Sequence, residues 1–194
     1  MKKIAFIIPG FGESKKNNPA YMKIAGYFKT KGINPIIVDI DWKYKVMTDY
    51  VEQFKEFYAK HVEKGAEVYI LGFSYGAMVA CISSPELKPK IQILCSLSPF
   101  FKEDMNRIKE WWKKYTGKKR INDLAKISFN DLAKKISSKT YILAGDKEGI
   151  EVEIRARETN NKIKNSRLIF IPGAKHMIGQ KEYLTEVKKM IDSL

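Results

Sequence analysis

The sequence predicts an α/β fold: a doubly wound, mainly parallel sheet of six strands with helices on both faces. Apolar runs of strand length alternate with amphipathic stretches, and the runs are apolar throughout instead of at every second residue. Such strands are typical of a parallel sheet that helices cover on both faces. The 194 residues, 44% of them hydrophobic, suffice for one full core. We therefore expect a single domain over residues 1–194.

The predicted elements follow from the apolar runs and from the helical spacing between them. Strands are predicted over residues 3–9, 36–38, 68–71, 91–97, 140–144 and 167–171. Helices are predicted over residues 21–28, 48–63, 77–82, 150–161 and 181–194. The first helix follows Asn18-Pro19 and ends at Lys31-Gly32, and Thr48 is expected to cap the second.

Residues 99–137 interrupt this alternation, because two helical stretches (103–115 and 121–136) follow each other without a strand between them. In a doubly wound fold such an insert lies over the carboxyl ends of the strands, where ligands bind. We expect this insert to be a short helical lid.

Composition excludes some classes of protein. No apolar run approaches the ~18 residues of a membrane span. The basic start at Lys2-Lys3 precedes only a short apolar run, which indicates a first strand instead of a signal peptide. Cys81 and Cys95 lie in apolar segments, as buried free thiols of a reducing compartment do. We expect a cytoplasmic protein without a membrane span, and the oligomeric state stays open.

The net charge of +14 has two interpretations, a functional basic face or a solvated lysine surface. Most of the basic residues are lysines spread along the whole chain. Proteins that recognise the phosphates and bases of nucleic acids depend instead on arginine and on clustered charge. The sequence also lacks zinc-ligand spacing and aromatic-basic repeats. The solvated surface is the favoured interpretation, and we expect no specific nucleic-acid partner.

The segment Gly72-Phe73-Ser74-Tyr75-Gly76 has the pattern G-x-S-x-G between a predicted strand and a predicted helix. In that context the serine lies on a sharp strand-to-helix turn that exposes its hydroxyl group. The following helix N-terminus favours negative charge that develops there. Ser74 is therefore the candidate nucleophile.

Only two histidines are available as a base for Ser74. His61 lies near the end of the second predicted helix, where a surface histidine is stabilised by the helix dipole. His176 lies in a loop directly after the last predicted strand, a position typical of a functional residue. His176 is therefore the candidate base.

With these residues in place, the chain resembles the α/β-hydrolase family over almost its whole length. The family order is nucleophile, acid, histidine, and Ser74 and His176 match the first and last positions. The segment Pro172-Gly173-Ala174-Lys175-His176 is similar to the family's approach to its histidine. The first strand here corresponds to the family's third, so the resemblance implies a minimal version with six strands instead of eight.

The resemblance also implies an oxyanion hole made by two backbone N–H groups, those of Phe11 and Tyr75. Pro9-Gly10-Phe11-Gly12 resembles the family's His-Gly-x-Gly loop, with Pro9 where a histidine is frequent. This departure has little effect, because the donor is a backbone N–H group.

The acid of the implied triad has two candidates after the fifth predicted strand, Glu148 and Asp146. The family places its acid three residues beyond the glycine, which is Gly145 here, and this position favours Glu148. Aspartate is the commoner side chain for the role and favours Asp146. We give position the greater weight, so Glu148 is the predicted acid and Asp146 the alternative. The other carboxylate is expected to cap the turn, and Asp39 and Asp41 are a more distant alternative.

The insert carries the only indication of the substrate. Its aromatic residues, surrounded by lysines, are Phe100, Phe101, Trp111, Trp112 and Tyr115. They predict either an apolar acyl pocket with a basic rim or an ordinary amphipathic helix docked on the domain, which gives the same pattern.

The function that the resemblance implies is a serine hydrolase with a Ser-His-acid triad and an acyl-enzyme intermediate. Its substrates would be carboxylic esters or thioesters of short to medium acyl groups, with no metal or organic cofactor. The alternatives are an amidase or peptidase with the same triad, and a non-catalytic basic binding protein on the same fold.

Overall fold

The computed structural model describes residues 2–194, so that Met1 of the expected domain lies outside the described residues. Six parallel strands form one sheet in the order β2-β1-β3-β4-β5-β6. They are β1 (Lys3–Ile8), β2 (Asn34–Ile37), β3 (Glu67–Phe73), β4 (Ile91–Cys95), β5 (Lys139–Gly145) and β6 (Ser166–Ile171). The predicted α/β class and parallel sheet are confirmed.

The α-helices of the described residues are α1 (Ala20–Thr30), α2 (Met47–His61), α3 (Tyr75–Leu87), α4 (Glu110–Thr116), α5 (Lys118–Leu124), α6 (Phe129–Ala133), α7 (Ile150–Lys162) and α8 (Lys181–Asp192). Alternate strand residues face opposite layers. Ala5 and Ile7 of β1 pack in the layer of α1 and α8, whereas Phe6 and Ile8 pack in the layer of α2 and α3. Across residues 2–194, none of the helices has both the length and the apolar character needed to cross a membrane.

The expectation that Thr48 caps α2 is wrong. The residue before α2 is Val46, whose N–H donates to the Asp49 carboxylate at 2.9 Å. Thr48 lies inside the first turn, where its hydroxyl and N–H bind the Asp123 carboxylate of α5 at 2.7 and 3.0 Å. The local pattern predicted that the Thr48 hydroxyl caps α2. The hydroxyl instead makes a tertiary contact with a residue 75 positions away in the chain.

The segment between β4 and β5 (residues 96–138) contains a 3₁₀ turn (Lys102–Asp104) and the three short helices α4, α5 and α6, where the sequence predicted two longer helices. Gly117, with φ 85°, separates α4 from α5. A new N-cap separates α5 from α6, because the Ser128 hydroxyl accepts a bond from the Asp131 N–H. Chain direction changes at both points, which the apolar spacing alone does not reveal.

A buried ion pair fixes the β4–β5 segment to α7. The Asp104 carboxylate accepts bonds from the Arg155 guanidinium, from Arg107 at 2.7 Å and from the Phe101 N–H at 3.0 Å. Arg155 is fully buried on α7, and its guanidinium carbon lies 5.2 and 4.5 Å from the ring centroids of Phe101 and Phe129. Charge pairing and cation–π contact therefore offset part of the cost of removing this cation from water, while its Nε and Nη1 atoms are buried without a hydrogen-bond partner among the described residues.

Both cysteines are buried and unpaired, in agreement with their apolar context. Burial raises the pKa of the Cys81 thiol to about 12 and raises that of Cys95 as well. Neither thiol is therefore a nucleophile near neutral pH.

Asp104→Asn is expected to lower the free energy of unfolding by about 3 kcal/mol, because the buried Arg155 charge loses its main partner. Equilibrium urea denaturation followed by circular dichroism measures the change. The matched control is Asp131→Asn, which breaks an exposed pair with Lys134 at 3.6 Å and should leave the midpoint unchanged. Equal effects of the two substitutions would contradict this account of the buried pair.

Candidate active site

Ser74 lies on the turn between β3 and α3, with φ 55° and ψ −116°. This backbone conformation is strained for any residue with a side chain. Two glycines make the turn possible, because a Cβ atom at Gly72 would overlap the Gly76 carbonyl, and one at Gly76 would overlap the Ile8 carbonyl. The Ser74 N–H donates to the Cys95 carbonyl at 2.9 Å, which fixes the turn to β4. The hydroxyl group therefore stands clear of the sheet at its carboxyl edge.

His176 and Glu148 extend from the loops after β6 and β5 toward this serine. The His176 Nε2 atom is 2.9 Å from the Ser74 Oγ atom, and the His176 Nδ1 atom is 2.6 Å from Glu148 Oε2. An ionised carboxylate only accepts hydrogen bonds, so Nδ1 carries the ring proton and Nε2 presents a lone pair to the serine. The imidazole side chain is 41% exposed, whereas the Glu148 side chain is fully buried.

Two further side chains support the buried Glu148 carboxylate. The Ser96 hydroxyl donates to Glu148 Oε1 at 2.8 Å, and the Gly145 N–H donates to the same oxygen. The Tyr183 hydroxyl lies 2.7 Å from the Ser96 Oγ atom and 2.9 Å from the Leu143 carbonyl. Burial raises the pKa of the Tyr183 phenol, which therefore stays a proton donor. The carboxylate thus has the donors that a charge removed from water requires.

The sequence analysis missed Ser96 and Tyr183. Ser96 follows β4 with φ 49°, and it and Gln92 are the two polar residues of the predicted strand 91–97. That interruption was a usable but weak signal. Tyr183 is 87 residues from Ser96 in the chain, and it lies on the apolar face of α8, where a tyrosine is an ordinary core residue. Its pattern gave no signal.

The alternative candidates lie elsewhere. Asp146 accepts a bond from the Gly173 N–H at 2.8 Å, which joins the β5 loop to the loop that carries His176. Asp41 binds Lys45 at 2.7 Å beyond β2. His61 bonds to the Phe57 carbonyl at 2.7 Å and stacks on the Phe57 ring within α2. Of the candidate acids and bases, Glu148 and His176 are the ones in contact with each other.

Phe11 lies in the loop after β1, on the same edge of the sheet. Its N–H and that of Tyr75 have no acceptor among residues 2–194. The loop is fixed at Gly10, whose N–H donates to the Tyr21 hydroxyl at 2.9 Å while that hydroxyl donates to Glu13. Burial and the neighbouring Glu13 carboxylate raise the pKa of Tyr21, so this contact persists near neutral pH. These two backbone N–H groups therefore remain unpaired, and both residues, like Ser74, lie at the carboxyl edge of the sheet.

A cavity of about 520 Å³ opens over these residues, between the carboxyl edge and the β4–β5 segment. Phe100 stacks on Trp112 with ring centroids 3.8 Å apart, and both line the cavity with Trp111 and Tyr115. Ser98 lies at its base, with its Oγ atom 3.1 Å from that of Ser74. The cavity has the size and the largely apolar lining of a small-molecule site.

The prediction that Phe101 lines the pocket is wrong. Its ring is fully buried against Phe129 and the Arg155 guanidinium, outside the cavity. The reason is the turn at this point: Asp104 accepts the Phe101 N–H and also binds Arg155, so the Phe101 ring packs on the Arg155 guanidinium of α7. Within the part of the chain that the structure describes, no group of three or more His, Cys, Asp or Glu side chains is placed to hold a metal ion.

The sequence matches no protein-family model, and a search of curated proteins finds no match. Solved structures are similar. Est1E from Butyrivibrio proteoclasticus, also solved with ferulic acid bound, has a TM-score of 0.81 at 16% identity, over 99% of this chain and 86% of that chain. An esterase from Exiguobacterium antarcticum has a TM-score of 0.75 at 16% identity, over 98% and 91%.

Alpha/beta hydrolase domain-containing protein 10 from mouse has a TM-score of 0.74 at 15% identity, over 98% of this chain and 88% of that chain. At these identities the likeness concerns the arrangement of the backbone, which agrees with the sheet order and the Ser74 turn described above. The chain has the α/β-hydrolase fold.

Proposed function

We propose that this protein is a serine hydrolase that cleaves carboxylic esters, thioesters included, of short to medium acyl groups. The observation that carries the proposal is the unbroken line of hydrogen bonds from Ser74 Oγ through the His176 ring to the buried Glu148 carboxylate. Further support comes from the esterases among the structures with a similar fold.

The acylation step follows from the tautomer of the neutral imidazole, which carries its proton on Nδ1. The Nε2 lone pair of His176 accepts the Ser74 proton while the oxygen attacks the ester carbonyl carbon. The carbonyl π electrons move to its oxygen, and the Phe11 and Tyr75 N–H groups stabilise that oxyanion. When the tetrahedral intermediate collapses, the bond to the alcohol or thiol breaks, and the leaving group takes the proton from Nε2.

Deacylation repeats these transfers with water as the nucleophile. His176 accepts a proton from water, hydroxide attacks the acyl carbon, and the Ser74 oxygen leaves with the proton that Nε2 returns. In both steps Glu148 holds the ring with Nδ1 protonated and stabilises the imidazolium that forms. No cofactor enters either step.

The acyl group occupies the aromatic cavity in this proposal, and residues 99–137 act as its lid. Phe100, Trp111, Trp112 and Tyr115 supply apolar surface, and a volume of about 520 Å³ suits short to medium acyl chains. Phe100 stacks on Trp112 of the lid helix α4, and its ring centroid lies 5.9 Å from that of Tyr75. Phe100 therefore connects α4 to the serine turn.

The first test is covalent labelling with a fluorophosphonate, in which an activated serine oxygen displaces fluoride from phosphorus. The wild-type protein should be labelled and should hydrolyse members of a panel of ester, thioester and amide substrates, whereas Ser74→Ala should do neither. Ser98→Ala is the matched control: it removes the neighbouring hydroxyl and should keep the label. A folded wild-type protein without label or turnover would overturn the proposal, and amide cleavage alone would replace esterase by amidase.

The second prediction separates the two candidate acids. Glu148→Gln should lower kcat by about 10⁴-fold, as loss of the triad carboxylate does in serine proteases, because a neutral amide no longer fixes the ring proton on Nδ1. Asp146→Asn keeps an oxygen that accepts the Gly173 N–H and should change kcat little. Steady-state kinetics on the best ester of the panel measures both, and a larger loss in the Asp146 variant would refute the assignment.

The third prediction concerns the support of Glu148 by Ser96. Ser96→Gly suits the backbone angle of 49° but removes one donor to the carboxylate, so kcat should fall about tenfold without a change in KM. Lys88→Gly makes the same backbone change at φ 45° away from the cavity and should leave kcat unchanged. An unchanged kcat in Ser96→Gly would show that the serine has no positioning role.

A further inference from the structure

The charged side chains that line the cavity are Asp104, Arg107, Lys109, Arg120, Glu148, Glu151 and His176. Most of them are paired with each other or with close neighbours. Asp104 pairs with Arg155 and Arg107, and Arg107 also pairs with Glu158. Lys109 lies 3.5 Å from Glu151, and Glu148 holds His176. Among the charged residues of the lining, Arg120 is therefore the one without an ion-pair partner.

Arg120 forms no ion pair with any carboxylate among the residues that the structure describes. Its Nε–H donates to the Lys45 carbonyl at 3.0 Å, and one Nη2 hydrogen points to the Trp42 carbonyl at 3.4 Å. Its guanidinium carbon lies 5.0 Å from the centroid of the Phe11 ring. Backbone carbonyls and an aromatic face thus hold the group in place without neutralising it.

The geometry of these contacts leaves one edge of the guanidinium free. The two carbonyls, to which the nearby Tyr50 hydroxyl also donates, occupy the side edge formed by Nε and Nη2. The end edge formed by Nη1 and Nη2 keeps N–H groups without a carbonyl or carboxylate acceptor among residues 2–194. A guanidinium edge with two parallel N–H groups matches the two oxygens of a carboxylate. Arg120 is half-buried, so an anion bound there is shielded from water on one side.

The position of this edge relates it to the reacting ester. Arg120 lies over the ring of Phe11, the residue whose N–H is assigned to the oxyanion in the proposed function. The Phe11 ring in turn lies 5.3 Å from the ring of Tyr75, which follows the nucleophile. The Arg120 guanidinium and the proposed position of the scissile ester bond therefore lie on the same side of the cavity.

We propose that Arg120 binds a carboxylate of the substrate, so that the preferred substrates are esters that carry a negative charge near the scissile bond. This inference rests on the proposed function, because it names the substrate class of the same site. The remaining lining is mostly aromatic, so the uncharged part of the substrate packs on apolar surface while its carboxylate meets the guanidinium.

The test compares esters that differ in one charge. Monomethyl adipate and methyl hexanoate differ on the acyl side, and (butanoyloxy)acetate and ethyl butanoate differ on the alcohol side. In at least one pair the wild-type protein should favour the anion, and Arg120→Met should lower kcat/KM for that anion about 10- to 100-fold, mainly through KM. The neutral ester should change less than about threefold in the same variant.

Arg157→Met is the matched control. Arg157 is also an arginine over a phenylalanine ring, 4.8 Å from the Phe170 centroid, but it pairs with Glu153 and lies outside the cavity. Its loss lowers the net charge equally and should leave both esters unaffected. Arg120→Lys keeps the positive charge but removes the two parallel N–H groups of the guanidinium. It should give an intermediate loss of kcat/KM for the anionic ester. Equal loss for anion and neutral ester in Arg120→Met, or no loss for either anion, overturns the inference.

A binding measurement separates this inference from the proposed function. Titration calorimetry of the Ser74→Ala protein at low salt should show that monomethyl adipate or (butanoyloxy)acetate binds more tightly than its neutral counterpart. Adding Arg120→Met should abolish that difference. If the wild-type protein hydrolyses no ester yet this charge preference is present, the proposed function fails while the anion site stands. If esters are hydrolysed and the preference is absent, the anion site fails alone.

Discussion

The close approach of α3 to the ends of β1 and β3 is the constraint on which the site depends. Ser74 holds a backbone conformation that costs about 1–3 kcal/mol in ordinary contexts, and packed structure on both sides must maintain it. Gly72 and Gly76 permit that packing, because neither position has room for a Cβ atom. Parallel pairing then sets the remaining geometry: β4, β5 and β6 end at the same edge, and their loops bring Ser96, Glu148 and His176 beside the turn.

The sequence predicted those parts whose cause is local. Strands buried on both faces are nearly continuous apolar runs, so their number and parallel arrangement follow from the pattern. Ser74 was identifiable because its turn needs glycines at fixed spacing, and His176 because the chain has so few histidines. Spacing favoured Glu148 over Asp146 only through the family resemblance, because both carboxylates follow the same strand. Their contacts differ only once the loop after β6 is folded against them.

Contacts between distant parts of the chain account for what the sequence analysis missed. Phe101 and Phe100 are neighbours in an aromatic segment, yet one packs on a buried arginine of α7 and the other faces the cavity. Arg120 was one basic residue among many in the insert. Its distinction is that it lines the cavity and has no carboxylate partner among the described residues, which depends on where the acidic side chains of the fold lie. Such differences depend on tertiary structure and give no periodic pattern in the sequence.

The distribution of tryptophan gives the cavity a further property. The sequence has three tryptophans, and all of them lie around this end of the molecule. Trp42 meets the Phe11 ring edge-on at 5.6 Å, and Trp111 and Trp112 stand in the cavity wall on α4. The intrinsic indole fluorescence of this protein therefore originates at the mouth of the cavity and not in the sheet. Indole emission therefore reports on the surroundings of the cavity, and far-ultraviolet dichroism reports on the sheet and helices, so the two signals together distinguish a change at the cavity from loss of the fold.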